Sequence, residues 1–386
     1  MTVTIHSDVG TGTSGSGTSG SGTSGSGTSA VPRVSVLITT YNASRFVEDT
    51  IHSVLGQTFG DFELVVVDDG SSDDTLDILA RCDDPRLRIM RAPQNLGVVG
   101  ARNYGFRQLR GAYVATLDHD DYWLPTRLEA GVALLDADSE LVFVGTRHDF
   151  LLHGQHMPAD RPCADTPALM RWMLLMDCQM VYSSLLFRRA VAALPGGGFL
   201  RADVRYADDY ELMLRFAFNG KGVQIEAPLT VYRFHDSNTT HVVGAEMERN
   251  AIKILTDIYA RWLGGDATAA AACIARHIAR RQPAASLAEL DQVGRVISRL
   301  LDGFFATYPT TADEHRRIVG NARAAYWRPV RASVRGGRIW LIGCYLWHRS
   351  LSVLGAFPVD VGLSLAAGLV TLLFRRGRMR VGLSQD

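Results

Sequence analysis

Short apolar runs alternate with helical patterns from residue 34 to residue 117, and this alternation constrains the fold more than any other feature. Val34 to Ile38 is almost unbroken in apolar residues, as expected of a strand buried on both faces. Similar runs occupy 62–67, 87–90 and 112–117, with helical patterns at 46–55, 75–82 and 99–109 between them. Strands that alternate with helices predict an α/β fold with a mostly parallel sheet and helices on both faces.

The remaining patterns divide the chain into four predicted regions. Residues 1–31 predict a disordered tail, because a Thr-Ser-Gly-Ser-Gly unit repeats from about Gly10 to Ala30. The sheet domain spans 32–240, with a strand near 141–144, helices at 169–176 and 208–219, and a hairpin at 223–234. Residues 241–335 have helical periodicity, and Ser286 to Glu289 is a capping-box signature. Residues 336–386 form an apolar and basic C-terminal segment.

Composition narrows the classes of partner and compartment. The chain has 40 basic and 40 acidic residues, so no overall charge favours nucleic acid. Its five cysteines are scattered and form no C-x-x-C pair, which favours a reducing cytoplasm. The apolar run from Val361 to Phe374 is shorter than the ~20 residues of a spanning helix, and arginines follow it. Peripheral contact with anionic lipid at the cytoplasmic face and a packed terminal helix hairpin explain this segment equally well.

Polar side chains follow three of the predicted strands. The first strand ends in 39–42 (Thr-Thr-Tyr-Asn), the second in 68–73 (Asp-Asp-Gly-Ser-Ser-Asp), and the fourth in 118–121 (Asp-His-Asp-Asp). Ligands of open α/β sheets bind outside the carboxyl ends of the strands. Clustered carboxylates need a cation or hydrogen-bond donors, and Mn²⁺ or Mg²⁺ suits such oxygen ligands. A helix-capping turn is the alternative for 68–73 alone.

Ordered sequence blocks resemble the family 2 inverting glycosyltransferases, which have the GT-A fold. The blocks are Val34–Asn42, Ser53–Thr58, Val67–Asp73, Asn95–Gly97, Ala101–Asn103, Leu117–Trp123, Ala207–Leu212 and Tyr232–His235. They cover about 200 residues in the family's order. The resemblance predicts transfer of a sugar from a nucleotide-diphosphate sugar, with UDP favoured, to an acceptor hydroxyl on a glycan or glycolipid. A non-catalytic nucleotide-sugar-binding relative is the alternative.

The resemblance implies a donor-binding role for several residues. Thr39 and Tyr41 line the nucleobase pocket, Asp69 accepts a hydrogen bond from the base, and Asp68 supports that loop. Arg102 lies near the nucleotide phosphates; a salt bridge within the acidic edge is its alternative role. The first strand is followed by no G-x-G-x-x-G turn, so a dinucleotide-dependent oxidoreductase is excluded.

Metal binding and catalysis are implied for a second group of residues. Asp118-His119-Asp120 resembles the D-x-D motif, with Asp120 as the direct ligand of Mn²⁺ or Mg²⁺ and Asp118 nearer the ribose as a further ligand. Asp121 shapes the donor site. His235 is a candidate metal ligand, with an ordinary loop histidine as the alternative.

The resemblance also implies a catalytic base. Asp209 would take the proton of the acceptor hydroxyl, as an inverting transferase requires. Its neighbour Asp208 occupies a place where this family commonly has Glu, and a helix N-cap is the alternative role for Asp208.

Overall fold

The computed structural model describes residues 31–159, 162–191, 199–236, 238 and 243–336. The strands are β1 (Val34–Thr40), β2 (Phe62–Asp68), β3 (Leu87–Arg91), β4 (Tyr113–Asp118), β5 (Tyr122–Trp123), β6 (Leu141–Leu152), β7 (Gln155–Pro158), β8 (Leu186–Arg188) and β9 (Lys221–Phe234). The helices are α1 (Val47–Leu55), α2 (Thr75–Ala80), α3 (Gly97–Phe106), α4 (Arg127–Ala137), α5 (Pro167–Met176), α6 (Asp208–Asn219), α7 (Gly244–Leu263), α8 (Ala267–Ile274), α9 (Leu287–Thr307) and α10 (Ala312–Arg335).

All nine described strands belong to one mixed sheet. Eight of them follow the order β3-β2-β1-β4-β8-β6-β9-β5, and β7 pairs with β6 outside this path. The half from β3 to β4 is parallel, as the alternating sequence pattern predicts. Beyond it, β8 runs antiparallel to both β4 and β6, whereas β6 and β9 are parallel to each other. The carboxyl ends of β1, β2 and β4 therefore lie side by side at one sheet edge.

The apolar strands are buried because helices cover both sheet faces. Alternate residues of a strand point to opposite faces, so Val36 and Ile38 pack into one core with α1 and α4. Leu37, between them, joins the opposite core with α3, α5 and α6. The expected helices on both faces are thus present.

The expected hairpin over 223–234 is wrong: this segment lies within the single strand β9. Strand β9 pairs in parallel with β6 along most of its length, from Leu141↔Lys221 to Leu152↔Phe234. The pairing shifts where Thr146 opposes Ile225 and the next residue, Arg147, opposes Pro228. A proline has no N–H for the ladder and is tolerated at a bulge. The chain therefore bulges at this point and continues in the same direction.

The helical region predicted after residue 241 consists of α7 to α10, which extend the core that contains α5. The Trp172 and Phe304 rings lie 5.6 Å apart, and Trp172 Nε1 donates to Asn321 Oδ1 at 3.1 Å. Ser286 caps α9 by accepting from the Glu289 N–H at 3.3 Å, as its sequence signature indicates. Within the described ranges no helix is both long and apolar enough to cross a membrane. The predicted tail up to residue 30 and the C-terminal segment after Gly336 lie outside the described residues.

Candidate active site

The loop after β2 is organised around the carboxylate of Asp68. This side chain is fully buried and accepts from the N–H groups of Gly70 at 3.2 Å and Ser71 at 3.1 Å. It also accepts from the Thr40 hydroxyl at 3.3 Å. Gly70 has φ +90°, a conformation that favours glycine. These contacts fit the supporting role that the resemblance implies for Asp68.

Asp69 lies at the same edge of the sheet and contacts the loop between β3 and α3. Its Oδ1 accepts from the Leu96 N–H at 2.7 Å, and its carbonyl accepts from Asn95 Nδ2 at 3.0 Å. The Tyr41 side chain is 52 % exposed at the end of β1, and Thr39 lies in register with Asp118 of β4. The residues predicted to bind the nucleobase therefore share one edge with the D-x-D turn. Asp69 follows β2 and Asp118 ends β4, two strands away, so their backbones are roughly 10 Å apart.

Arg102 joins two distant parts of the chain. Its Nη2 is 2.7 Å from Asp118 Oδ1 at the end of β4, and its Nη1 is 2.9 Å from Asp208 Oδ2 at the start of α6. The guanidinium also lies 3.7 Å from the centre of the Tyr182 ring. In this structure both terminal nitrogens of Arg102 are engaged by carboxylates, which matches the salt-bridge alternative for this residue.

Asp209 is brought to the same place by α6. Asp208 is the first residue of that helix, and the cap is Ala207, so the N-cap alternative for Asp208 is wrong. The Asp209 carboxylate accepts from the Tyr210 N–H at 2.7 Å. Burial first, and the charge of Asp208 second, raise the pKa of Asp209 to about 7, although Arg102 opposes the rise. A carboxyl that titrates near neutral pH is suited to proton transfer.

Asp120 and His235 form the second part of the site. His235 Nε2 lies 2.9 Å from Asp120 Oδ2, and the His235 ring packs against Phe46 at 4.8 Å. Burial favours the neutral carboxyl, but the hydrogen bond from His235 and the charges of His119 and His235 together outweigh it and lower the pKa of Asp120. Among the residues that the structure describes, no three His, Cys, Asp or Glu side chains are arranged to hold a metal ion. Asp118, the third predicted ligand, is instead paired with Arg102.

Asp121 is held inside the protein. It is 1 % exposed and accepts from the Ser183 hydroxyl at 2.5 Å and from the Arg233 N–H at 2.9 Å. Burial and the charges of Asp120 and Asp118 raise its pKa well above the usual value. These contacts hold the turn after β4 against Ser183 and β9, and the role of Asp121 in shaping the donor site stays a prediction.

Sequence reasoning missed three side chains that build this site. Tyr182 and Ser183 belong to a 3₁₀ turn, Tyr182–Ser184, and support Arg102 and Asp121. Phe46 precedes α1 and supports the ring of His235. No spacing or motif marks these residues, because their importance depends on contacts between segments far apart in the sequence.

Solved structures and curated proteins resemble this chain. Residues 1–349 of TarS from S. aureus, in complex with UDP-GlcNAc, superpose with a TM-score of 0.52 at 17 % identity, covering 78 % of this chain and 90 % of that one. An uncharacterized glycosyltransferase of Haemophilus influenzae is 26 % identical over 58 % of this chain and 72 % of its own length. The Escherichia coli protein WfaP, named UDP-Glc:alpha-D-GlcNAc-diphosphoundecaprenol beta-1,3-glucosyltransferase, is 27 % identical over 52 % of this chain and 77 % of its own length.

The fold and its structural relatives define the class: the chain has the GT-A fold followed by a helical region. The family follows from the sequence itself. Residues 35–191 match the model of glycosyl transferase family 2, so this part of the chain is a domain of that family. The predicted family and the predicted enzyme class, glycosyltransferase, are confirmed.

Proposed function

We propose that the chain is an inverting glycosyltransferase that moves a sugar from a nucleotide-diphosphate sugar to an acceptor hydroxyl. The observation that carries this proposal is the Asp118–Arg102–Asp208 bridge. It ties the helix that bears Asp209 to the strand end that bears the D-x-D motif. The pKa of Asp209, raised to about 7, supports its proposed role as the base for an acceptor that reaches a donor bound at that edge.

A UDP-sugar is the favoured donor, and a lipid-linked glycan is the favoured acceptor. The UDP-Glc and diphosphoundecaprenol in the name of WfaP, and the UDP-GlcNAc bound by TarS, support these choices. Exposed Tyr41 and the carboxylate of Asp69 fit a nucleobase that is stacked on one side and donates a hydrogen bond. Among the residues that the structure describes, the Leu96 N–H contacts Oδ1 of Asp69, so Oδ2 can accept the hydrogen bond from the base.

Transfer needs one proton acceptor and one leaving group. Asp209 takes the proton of the acceptor hydroxyl while the hydroxyl oxygen forms a bond to the anomeric carbon. The bond from that carbon to the diphosphate breaks, and the diphosphate leaves with the electron pair. Attack from the face opposite the leaving group inverts the anomeric configuration. A base that titrates near pH 7 is partly ionised at neutral pH and recovers its ionised form after each turnover.

Asp120 and His235 are the residues that would hold a divalent metal. A carboxylate oxygen and an imidazole nitrogen suit Mn²⁺, and Mg²⁺ is commonly held by one or two carboxylates plus substrate phosphates. The pair therefore fits a metal whose remaining ligands come from the donor diphosphate, with Asp118 as a further ligand on the same turn. When bound, the metal supplies positive charge that stabilises the departing diphosphate.

A nucleotide-sugar panel tests this proposal. UDP-glucose, UDP-GlcNAc and GDP-mannose are added with Mn²⁺ or Mg²⁺, and thermal stability and donor hydrolysis are recorded. We expect at least one donor to raise the melting temperature only with metal, and EDTA to abolish the rise. Asp120→Ala should remove this metal-dependent binding, whereas Asp209→Asn should keep the binding and lose turnover. Full turnover by Asp209→Asn would remove the base assignment, and binding without turnover by the unmodified chain would favour a non-catalytic relative.

We also propose peripheral attachment at the cytoplasmic face of the membrane, and the basic C-terminal segment supports this choice over a packed terminal hairpin. Lipid-linked acceptors named for relatives make such a location useful. Sedimentation with liposomes that contain anionic lipid measures the attachment. Equal sedimentation of the full chain and of a chain that ends at Arg335 would remove this part of the proposal.

A further inference from the structure

Two buried hydrogen-bond donors beside the site have no acceptor among the residues that the structure describes. They are the Tyr182 hydroxyl and the Nε of Arg102. Tyr182 is 4 % exposed and Arg102 is 8 % exposed, so bulk water does not satisfy either group. An unpaired buried donor costs folding free energy, and such groups are rare in native proteins.

The turn that carries Tyr182 is otherwise well satisfied. The Tyr182 carbonyl accepts from the Thr116 hydroxyl at 2.6 Å, and the Ser183 carbonyl accepts from Trp123 Nε1 at 2.7 Å. The Ser183 hydroxyl donates to Asp121. Thr116 of β4 and Trp123 of β5 thus hold the backbone of the turn. The unpaired hydroxyl is therefore not the result of a loosely packed loop.

Charged side chains surround the ring of Tyr182. The Arg102 guanidinium lies over the ring, and the carboxylates of Asp118, Asp208 and Asp209 act on the phenol through their charges. Burial is the main reason that the pKa of Tyr182 is raised, and these carboxylates add to the rise. The phenol therefore keeps its proton at every pH used for enzyme assays and acts as a donor.

We propose that Tyr182 Oη and Arg102 Nε donate hydrogen bonds to hydroxyl oxygens of the transferred sugar. This inference rests on the proposed function. Arg102 bridges Asp118, at the end of the strand that bears the D-x-D motif, and Asp208, the neighbour of the proposed base Asp209, and Tyr182 packs against Arg102. A sugar bound between diphosphate and base occupies this position.

The presence of both hydrogen-bond donors and acceptors at this position favours a sugar hydroxyl over a phosphate as the ligand group. Carboxylates only accept hydrogen bonds, whereas the tyrosine and arginine groups only donate here. A sugar hydroxyl both donates and accepts, so it can satisfy both kinds of group at once. A phosphate at this spot only accepts, and the negative charges of Asp118, Asp208 and Asp209 repel it.

The test is Tyr182→Phe, which removes one oxygen atom and keeps the ring under Arg102. The matched control is Tyr259→Phe, because the buried Tyr259 hydroxyl donates to the Leu175 carbonyl in the helical core. Melting temperature without ligand is measured first. We expect Tyr182→Phe to melt at the same or a higher temperature than the unmodified chain, and Tyr259→Phe to melt lower.

Ligand affinity is then measured with metal present, for UDP and for the UDP-sugar that the panel selects. Loss of one neutral hydrogen bond weakens binding by roughly 3- to 10-fold. We expect Tyr182→Phe to bind the UDP-sugar more weakly by this factor and UDP as tightly as before, and Tyr259→Phe to bind both normally. Unchanged sugar-nucleotide affinity, equal weakening for UDP, or a melting temperature lowered as in Tyr259→Phe each overturn the proposal.

Failure of the proposed function has a different signature. If the unmodified chain binds no nucleotide sugar in the presence of metal, the enzyme assignment fails before any variant is compared. If it binds one and Tyr182→Phe binds it equally well, only the sugar contact is removed.

Discussion

Asp208→Asn should move the activity of this enzyme to lower pH. Asp208 is the second-largest cause, after burial, of the raised pKa of Asp209, which lies at about 7. Asparagine keeps an oxygen that accepts from Arg102 and removes only the negative charge. The pKa of the neighbouring base therefore falls, and the base remains ionised in more acidic solution. The rate of a base-catalysed transfer follows the ionised fraction of the base.

The size of the effect follows from Coulomb's law. Two carboxylates roughly 8 Å apart repel each other by about 2 kcal/mol at an effective dielectric constant of about 20, which corresponds to about 1.5 pH units. Burial, the larger cause, is unchanged by the substitution. We therefore expect the acid limb of kcat/KM to move from about 7 in the unmodified chain to roughly 5.5–6 in Asp208→Asn.

The assay is donor hydrolysis or transfer between pH 5 and 9 with metal at saturation. Asp203→Asn is the control, because this exposed residue pairs with Arg201 and Lys253 and loses the same charge a short distance before α6. Its acid limb should not move. An acid limb that stays in place or rises in Asp208→Asn refutes the electrostatic reasoning. Loss of activity at every pH in Asp208→Asn would instead identify Asp208 as the base.

Three further substitutions test other contacts of the site. Arg102→Met should move the acid limb of kcat/KM to higher pH, because the cation that lowers the pKa of Asp209 is lost. The same substitution leaves buried Asp208 without its cation, so the unfolding free energy in denaturant titrations should fall by about 3–5 kcal/mol. Phe46→Leu should weaken Mn²⁺ binding in the presence of UDP by about 10-fold in calorimetry, since the ring of His235 loses its support; unchanged affinity contradicts this. Ser183→Ala should lower stability by about 1–3 kcal/mol, because buried Asp121 loses a donor; an unchanged urea midpoint contradicts it.

The parallel half of the sheet was predictable because its strands are buried on both faces. Such strands are nearly continuous apolar runs, and their limits in the structure differ from the sequence prediction by one or two residues, as in Tyr113–Asp118 against 112–117. The strands beyond β4 were harder to predict from the sequence. Strand β9 is mostly half-buried or exposed and is interrupted at Pro228, so its sequence is equally consistent with two short strands and a turn.

The acidic residues of the site were predictable for a related reason. Each follows a recognisable strand or begins a recognisable helix, and strand ends converge at one edge. The partners of these acids were not predictable. Arg102 is 106 residues from Asp208, and Ser183 is 62 residues from Asp121. Such pairings depend on how β8 inserts beside β4, which no local pattern of residues encodes.

The excess of negative charge in the site should make binding of the nucleotide sugar depend on binding of the metal. Three carboxylates, on Asp118, Asp208 and Asp209, surround the permanent cation of Arg102. Asp120 pairs with His235, and His119 is a further basic neighbour of Asp118 and Asp120. A nucleotide diphosphate that enters without a cation adds further negative charge to this cluster and is repelled. A divalent ion between Asp120 and the diphosphate reverses that repulsion. Metal and nucleotide sugar should therefore strengthen each other's binding by the same factor, because coupling between two ligands is reciprocal. Equal affinity for the nucleotide sugar with and without metal would show that Arg102 alone neutralises the site.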